Sequence, residues 1–164
     1  ASIAWALAVV GAPHAIVSSR AALRRPAALV YAAGAVVCHQ RPERSFVTRG
    51  VAWPVCGRCA GLYLSAPFGA AAALAVGRAR RGDLRARRRI EALAARWRRP
   101  RGARRLLAVA AAPVALTIVV EWAGVPIATA ARATSAAPLG TALAWTIVTA
   151  VRLRGATDAV PGLH

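Results

Sequence analysis

The sequence predicts an all-α protein: a small polytopic bundle of transmembrane helices forming one membrane domain over residues 1–164. Two observations predict it. The chain is 58% hydrophobic yet carries a formal net charge of +18, whereas a soluble nucleic-acid binder of that charge is polar throughout. The charge is also segregated, with 13 of the 23 basic residues between Arg78 and Arg105 and long uncharged stretches elsewhere. A helix rises 1.5 Å per residue, so about 20 apolar residues cross the ~30 Å hydrocarbon core of a bilayer.

Four stretches have that length. Ser2–Ser19 is apolar apart from the interruption at Pro13-His14, and reads as a first membrane helix or as a clipped signal-like segment. Ala60–Gly77 has only Tyr63 and Ser65 as mildly polar members. Leu106–Val125 contains one ionisable residue, Glu121, and Ala133–Val151 contains none. A fifth stretch, Pro26–Cys38, is apolar but only about 20 Å long as a helix, which suits a short crossing or a re-entrant element. Pro26 would sit in its first turn, where the missing N–H costs little.

The arginines orient these segments. If all five cross, Arg20, Arg24, Arg25, the 78–105 block, Arg152 and Arg154 share one side, and only Arg41, Arg44, Arg49, Arg58 and Arg132 face the other. The positive-inside rule then puts the crowded side in the cytoplasm of a prokaryotic multi-pass membrane protein. Within loop 78–105, Asp83 N-caps an expected amphipathic helix running to about Arg99. Ala86, Ile90, Leu93, Ala94 and Trp97 form its apolar face, lying on the anionic lipids of the inner leaflet. The partner read here is the bilayer and not nucleic acid, since the block is tethered at the membrane and offers a single aromatic.

One segment departs from this Ala-rich background. It reads Cys38-His39-Gln40-Arg41-Pro42-Glu43-Arg44-Ser45-Phe46, then Pro54-Val55-Cys56-Gly57-Arg58-Cys59-Ala60-Gly61-Leu62-Tyr63, and it holds all three cysteines. Cys56-x-x-Cys59 with glycine in the turn suits a soft cation such as zinc or another soft transition metal, and Cys38, His39, Cys56 and Cys59 would complete a Cys₃His set. Against that set, adjacent residues such as Cys38 and His39 project in different directions on a helix, and Arg41, Arg44 and Arg58 crowd a cation while offsetting thiolate charge. Disulfide or redox chemistry is the second reading, because Arg58 would lower a neighbouring thiol's pKa. The third is simple packing of small residues at helix ends.

The blocks CHQRPERSF and PVCGRCAGLY resemble the hallmarks of a family of small predicted integral membrane proteins of unknown function. Its members carry CHQ-x-P-x-RSF followed by C-x-R-C-x-G-x-Y at the start of the next membrane helix. The resemblance extends from about Val30 to Gly140 and implies a membrane location without an activity. By its pattern Gln40, Arg44, Ser45, Arg58, Gly61 and Tyr63 join the candidate residues, with Arg132 and the intramembrane acid Glu121 downstream; Arg41, at a free position of the pattern, joins them because a guanidinium there suits a phosphate. The family's acid is often aspartate, so Glu121 is a departure.

A carboxylate in a membrane segment usually faces a partner or a water-filled cavity, and Arg132, Arg41, Arg44 or Arg58 would serve Glu121. An interfacial Glu121 snorkelling outward beside Trp122 is the competing expectation. Gly57, Gly61 and Ser65 give a small-residue face for close helix packing. The functional expectation is an outward-facing Cys/His/Arg site that binds metal or undergoes thiol redox chemistry. An enzyme acting on a lipid-linked or phosphate-bearing substrate is the first alternative, and an accessory membrane subunit the second.

Overall fold

A computed structural model describes residues 2–79 and 100–158 of the chain. The order is α1 (Ser2–Ile16), α2 (Ala21–Val37), a 3₁₀ turn (Pro42–Arg44), β1 (Ser45–Thr48), β2 (Val51–Cys56), α3 (Gly57–Ala79), α4 (Pro100–Trp122) and α5 (Thr129–Asp158). The protein is mostly helical, but the all-α expectation misses a hairpin. β1 and β2 pair antiparallel, with Thr48 opposite Val51. The two loop residues Arg49 and Gly50 both have positive φ, 53° and 75°. Such a two-residue turn matches the twist of the flanking strands.

Three helices are long and apolar enough to cross a membrane: Gly57–Val76, Arg101–Trp122 and Thr129–Arg152. The first expected segment is shorter than its apolar run, because α1 ends at Ile16 and is 15 residues long, about 22 Å. The second begins earlier than expected. α2 starts at Ala21 and takes Arg24 and Arg25 into the helix, so Pro26 falls inside it and not in its first turn. The expected amphipathic helix from Asp83 to Arg99 lies outside the described residues.

The long helices pack through small residues. A Cβ on Gly61 would overlap the Ala133 carbonyl, one on Gly69 the Thr141 carbonyl, and one on Gly140 the Leu62 carbonyl. Close backbone approach of this kind drives helix pairing where lipid removes the hydrophobic incentive. Outward, Leu29, Phe68 and Val109 are each at least 70% exposed; on a soluble monomer such a surface would be an aggregation liability, whereas against lipid chains it is expected.

Both short helices lean on the hairpin. Val9, Cys38, Val55 and Ala60 form the buried cluster, with Trp5, Phe46, Trp53 and Tyr63 packed around it. Trp5 meets Tyr63 edge-on at 5.8 Å between ring centroids, and Phe46 meets Trp53 at 5.2 Å. This cluster fixes the end of α2, the end of β2 and the start of α3 relative to one another.

α4 closes with Gly124 at φ 83°. The Val125 N–H donates to the Val120 carbonyl and the Gly124 N–H to the Glu121 carbonyl, the paired bonds of a Schellman cap. The chain thus turns sharply after Trp122 and re-enters as α5. The start of α3, the end of α4 and the start of α5 lie together, with 80–99 connecting the other ends of α3 and α4.

Candidate metal centre

Three elements each bring one cysteine to the same point. Cys38 caps the C-terminus of α2, Cys56 ends β2, and Cys59 lies in the first turn of α3. Their sulfur atoms all lie within 4.8 Å of one another, and all three thiols are free. Cys38 has extended backbone, φ −145° and ψ 140°, so consecutive side chains point to opposite sides. Cys38 therefore turns inward and is buried, while His39 turns out and is exposed. This corrects the expected Cys₃His set: His39 lines the mouth of the cavity, but the cluster consists of sulfur alone.

The arrangement is held from behind. Gln40, at φ 45°, donates through Nε2 to the carbonyls of Tyr31 and Pro54, both at 2.7 Å. The Tyr31 hydroxyl donates to the Ala52 carbonyl at 2.7 Å. These bonds latch α2 to β2 across Gly34, where a Cβ would overlap the Pro54 carbonyl. Gln40 is thus placed as a positioning residue, with its amide spent on backbone carbonyls. Ser45 is buried and donates to the Arg41 carbonyl at 2.9 Å, bracing the 3₁₀ turn.

The sulfurs sit among hydrogen-bond donors. The Cys56 N–H donates to Cys38 Sγ at 3.2 Å. Cys56 immediately precedes the first residue of α3, where unsatisfied N–H groups favour an anionic side chain. Its thiol is pushed down to about 5, first by the hydrogen bond with the Cys59 thiol, and further by the Cys59 and Arg58 backbone N–H groups and Cys38. These outweigh burial, which acts in the opposite direction.

Glu121 is held on both sides and does not snorkel. Its side chain is 11% exposed; Oε2 accepts from Arg58 Nη2 at 2.7 Å and Oε1 accepts from Arg132 Nε. Arg58 also reaches Thr117 Oγ1 at 3.4 Å, and Thr117 lies 3.4 Å from Ser135 Oγ. This ion triad ties α3, α4 and α5 together at one end of the long helices. Thr117 and Ser135 are site neighbours outside the expected set; Thr117 lies four residues before Glu121 on one helical face, and Ser135 opens a small-residue element, Ser135–Gly140, that the family resemblance includes.

A cavity of about 470 Å³ opens beside the sulfurs, lined by Val37, Cys38, His39, Arg41, Arg44, Cys56, Arg58, Cys59 and Arg132. Gly61 and Tyr63 do not line it; they pack against Ala133 and Trp5 respectively. A family model described as a predicted membrane protein, DUF2085, matches residues 38–146. The chain belongs to this family. The DUF2085 stretch holds all three cysteines, the ion triad and the three candidate spans to within six residues of the last one's end. An uncharacterized protein of Methanothermobacter thermautotrophicus is 57% identical over 30 residues, which cover 18% of this chain and 27% of that protein. The chain thus spans about a quarter of that relative's length. No solved structure matches the chain.

Proposed function

We propose that this DUF2085 protein holds a soft metal ion on Cys38, Cys56 and Cys59 at the outer face of a prokaryotic cytoplasmic membrane. The convergence of three sulfurs from three separate elements carries the reading. Tetrahedral zinc, with zinc–sulfur bonds of about 2.3 Å, sets its sulfurs about 3.8 Å apart. The 4.8 Å limit here needs only a small inward shift of flexible thiols. The N–H bond to Cys38 and the helix start at Cys56 favour the thiolate form that a metal requires. Three protein ligands leave a fourth position, and the cavity adjoins it. That is the pattern of a centre that meets a ligand, not of a closed structural one.

The outward orientation rests on charge. The helix ends that flank the Arg-rich stretch, residues 78–79 of α3 and 100–105 of α4, lie at the opposite ends of these helices from the sulfurs. By the positive-inside rule that segment is cytoplasmic, and the cysteine site is then outside.

A second reading is favoured by one observation: Cys56 and Cys59 flank the first turn of α3 with the spacing of a redox dithiol, and Cys56 is the acidic member. Metal analysis separates the two. The purified protein, reduced and supplied with zinc, is expected to retain about one ion per chain, and Cys56→Ser to lose it. Absence of metal from both, with a Cys56–Cys59 disulfide re-forming in air, would overturn the metal reading in favour of the redox one.

A further inference from the structure

The arginines of the cavity exceed what the described residues neutralise. Arg41, Arg44, Arg58 and Arg132 all line it. Glu121 meets two of them and is the only acid among the described residues that pairs with any of the four. Arg41 and Arg44, outside the triad, are exposed and half-buried respectively, and the paired arginines still hold unspent donors. Arg132 is 9% exposed, and the Arg58 side chain is 18% exposed with a buried Nε that has no acceptor among the described residues. Burying an unmet guanidinium donor at a membrane surface is costly unless a partner arrives.

The geometry narrows that partner. Arg41 and Arg44 enter from the 3₁₀ turn, whereas Arg58 and Arg132 enter from the starts of α3 and α5. A ligand in the middle meets planar N–H forks from several directions, which suits a tetrahedral oxyanion better than a planar carboxylate. The charge balance points the same way. Four guanidiniums against one carboxylate leave three positive charges; a divalent ion on three thiolates would offset one, leaving a dianion's worth. A space of about 470 Å³ accepts a phosphate and part of the group it is attached to.

We infer that the arginine-walled cavity beside the cysteines is a binding site for a phosphate group, carried either by a soluble phosphate compound or by a lipid headgroup. The arginines supply the recognition, so the site stands whether or not the sulfurs hold metal.

Binding of radiolabelled inorganic phosphate to the detergent-purified full chain tests the soluble source, and retention of phosphatidic acid over phosphatidylcholine in mixed micelles tests the lipid source. The variant is Arg41→Ala/Arg44→Ala, since neither residue belongs to the ion triad; Arg49→Ala, on the hairpin turn, is the control. At 1.5–3 kcal/mol for a hydrogen bond to a charged group, the double variant is expected to lose roughly tenfold or more in affinity, with its melting temperature kept. An Arg41/Arg44-dependent signal with inorganic phosphate assigns the soluble source. The same dependence with phosphatidic acid alone assigns the lipid. Binding of neither, or binding that the double variant leaves unchanged, overturns the site. Metal content measured on the same samples keeps the two proposals apart: phosphate retained without metal sinks only the metal reading, and metal retained without phosphate sinks only this one.

Discussion

At the residue scale, the charge of Cys56 has a direct chemical consequence. An ordinary thiol reacts with an alkylating agent about tenfold faster for each pH unit gained up to its pKa near 8.5. Cys56, lowered to about 5, is already thiolate at pH 6. In the reduced, metal-free protein its alkylation rate is therefore expected to be nearly flat from about pH 6 to 8 and to fall below about pH 6, reaching roughly half at pH 5. Peptide mass spectrometry of the modified chain reads this site by site, and a tenfold rise per unit through pH 8 would contradict it. Glu121 carries the second consequence. Removing one partner of a buried ion pair costs about 3–5 kcal/mol, because the other partner is left charged and unmatched. Glu121→Gln strands both Arg58 and Arg132, so a loss toward the upper end of that range is expected in denaturant unfolding of the micellar protein. A loss under 1 kcal/mol, as for an exposed pair, would show that the triad is hydrated. Much of this site was legible beforehand: the cysteines, the arginines and Glu121 stood out against an alanine-rich background. What composition cannot supply is side-chain direction. The extended backbone at Cys38 sends the thiol in and His39 out, and two residues on Gln40 latches the chain onto β2.

At the scale of elements, spacing alone foresaw a small-residue face on α3 through Gly57, Gly61 and Ser65, but not its extension to Gly69 or its partner, α5. Gly57, Gly61, Ser65 and Gly69 recur every four residues and therefore share one face. Gly57, Gly61 and Gly69 lie against backbone carbonyls of α5, while Ser65 lies against Gly140. Gly61→Val forces the helices apart at the Ala133 carbonyl, and since Arg58 and Arg132 sit one turn away, the ion triad goes with it. The expected outcome is a protein that fails to accumulate in folded form, whereas Gly11→Ala, which meets nothing within 4 Å, accumulates normally; size-exclusion profiles of the two variants check this. Equal behaviour would mean that α3 and α5 are not packed through that face. The hairpin was legible too, in retrospect: Arg49-Gly50 is a two-residue turn between Phe46-Val47-Thr48 and Val51-Ala52-Trp53. It is masked by Pro54, which argues against a central strand but is allowed at the edge of a two-stranded ribbon. The start of α2 was hidden for a different reason. Hydropathy excludes Arg24 and Arg25 from a membrane run, yet arginine is a good helix former and its long side chain reaches outward from a helix end.

At the scale of the whole molecule, the two arginine populations and the three long helices constrain each other. α3 runs away from the cysteines, α4 returns to bring Glu121 to Arg58, and α5 leaves again from Arg132. Arg152, near the far end of α5, donates to the Ala73 carbonyl of α3, so the two helices remain in register over their length. If α3 crosses the bilayer, the site at its start and residues 100–105 beyond its end would lie on opposite faces, whatever α1 and α2 do. The positive-inside rule then fixes which face is which. In a background with Cys38, Cys56 and Cys59 replaced by serine, Val47→Cys on the exposed side of β1 and Arg101→Cys at the start of α4 report the two faces. A membrane-impermeant maleimide applied to intact cells is expected to label position 47 and to reach position 101 only after the membrane is opened. The reverse pattern would place the thiols in the reducing cytoplasm, where an exchange-prone disulfide is disfavoured and a metal is the more stable occupant. Labelling of both positions from outside would contradict a crossing by α3. The orientation thus decides more than geometry: an outward site, on the readings proposed above, would draw an ion and a phosphate from the exterior or the outer leaflet, and coordination would have to keep its thiols reduced there.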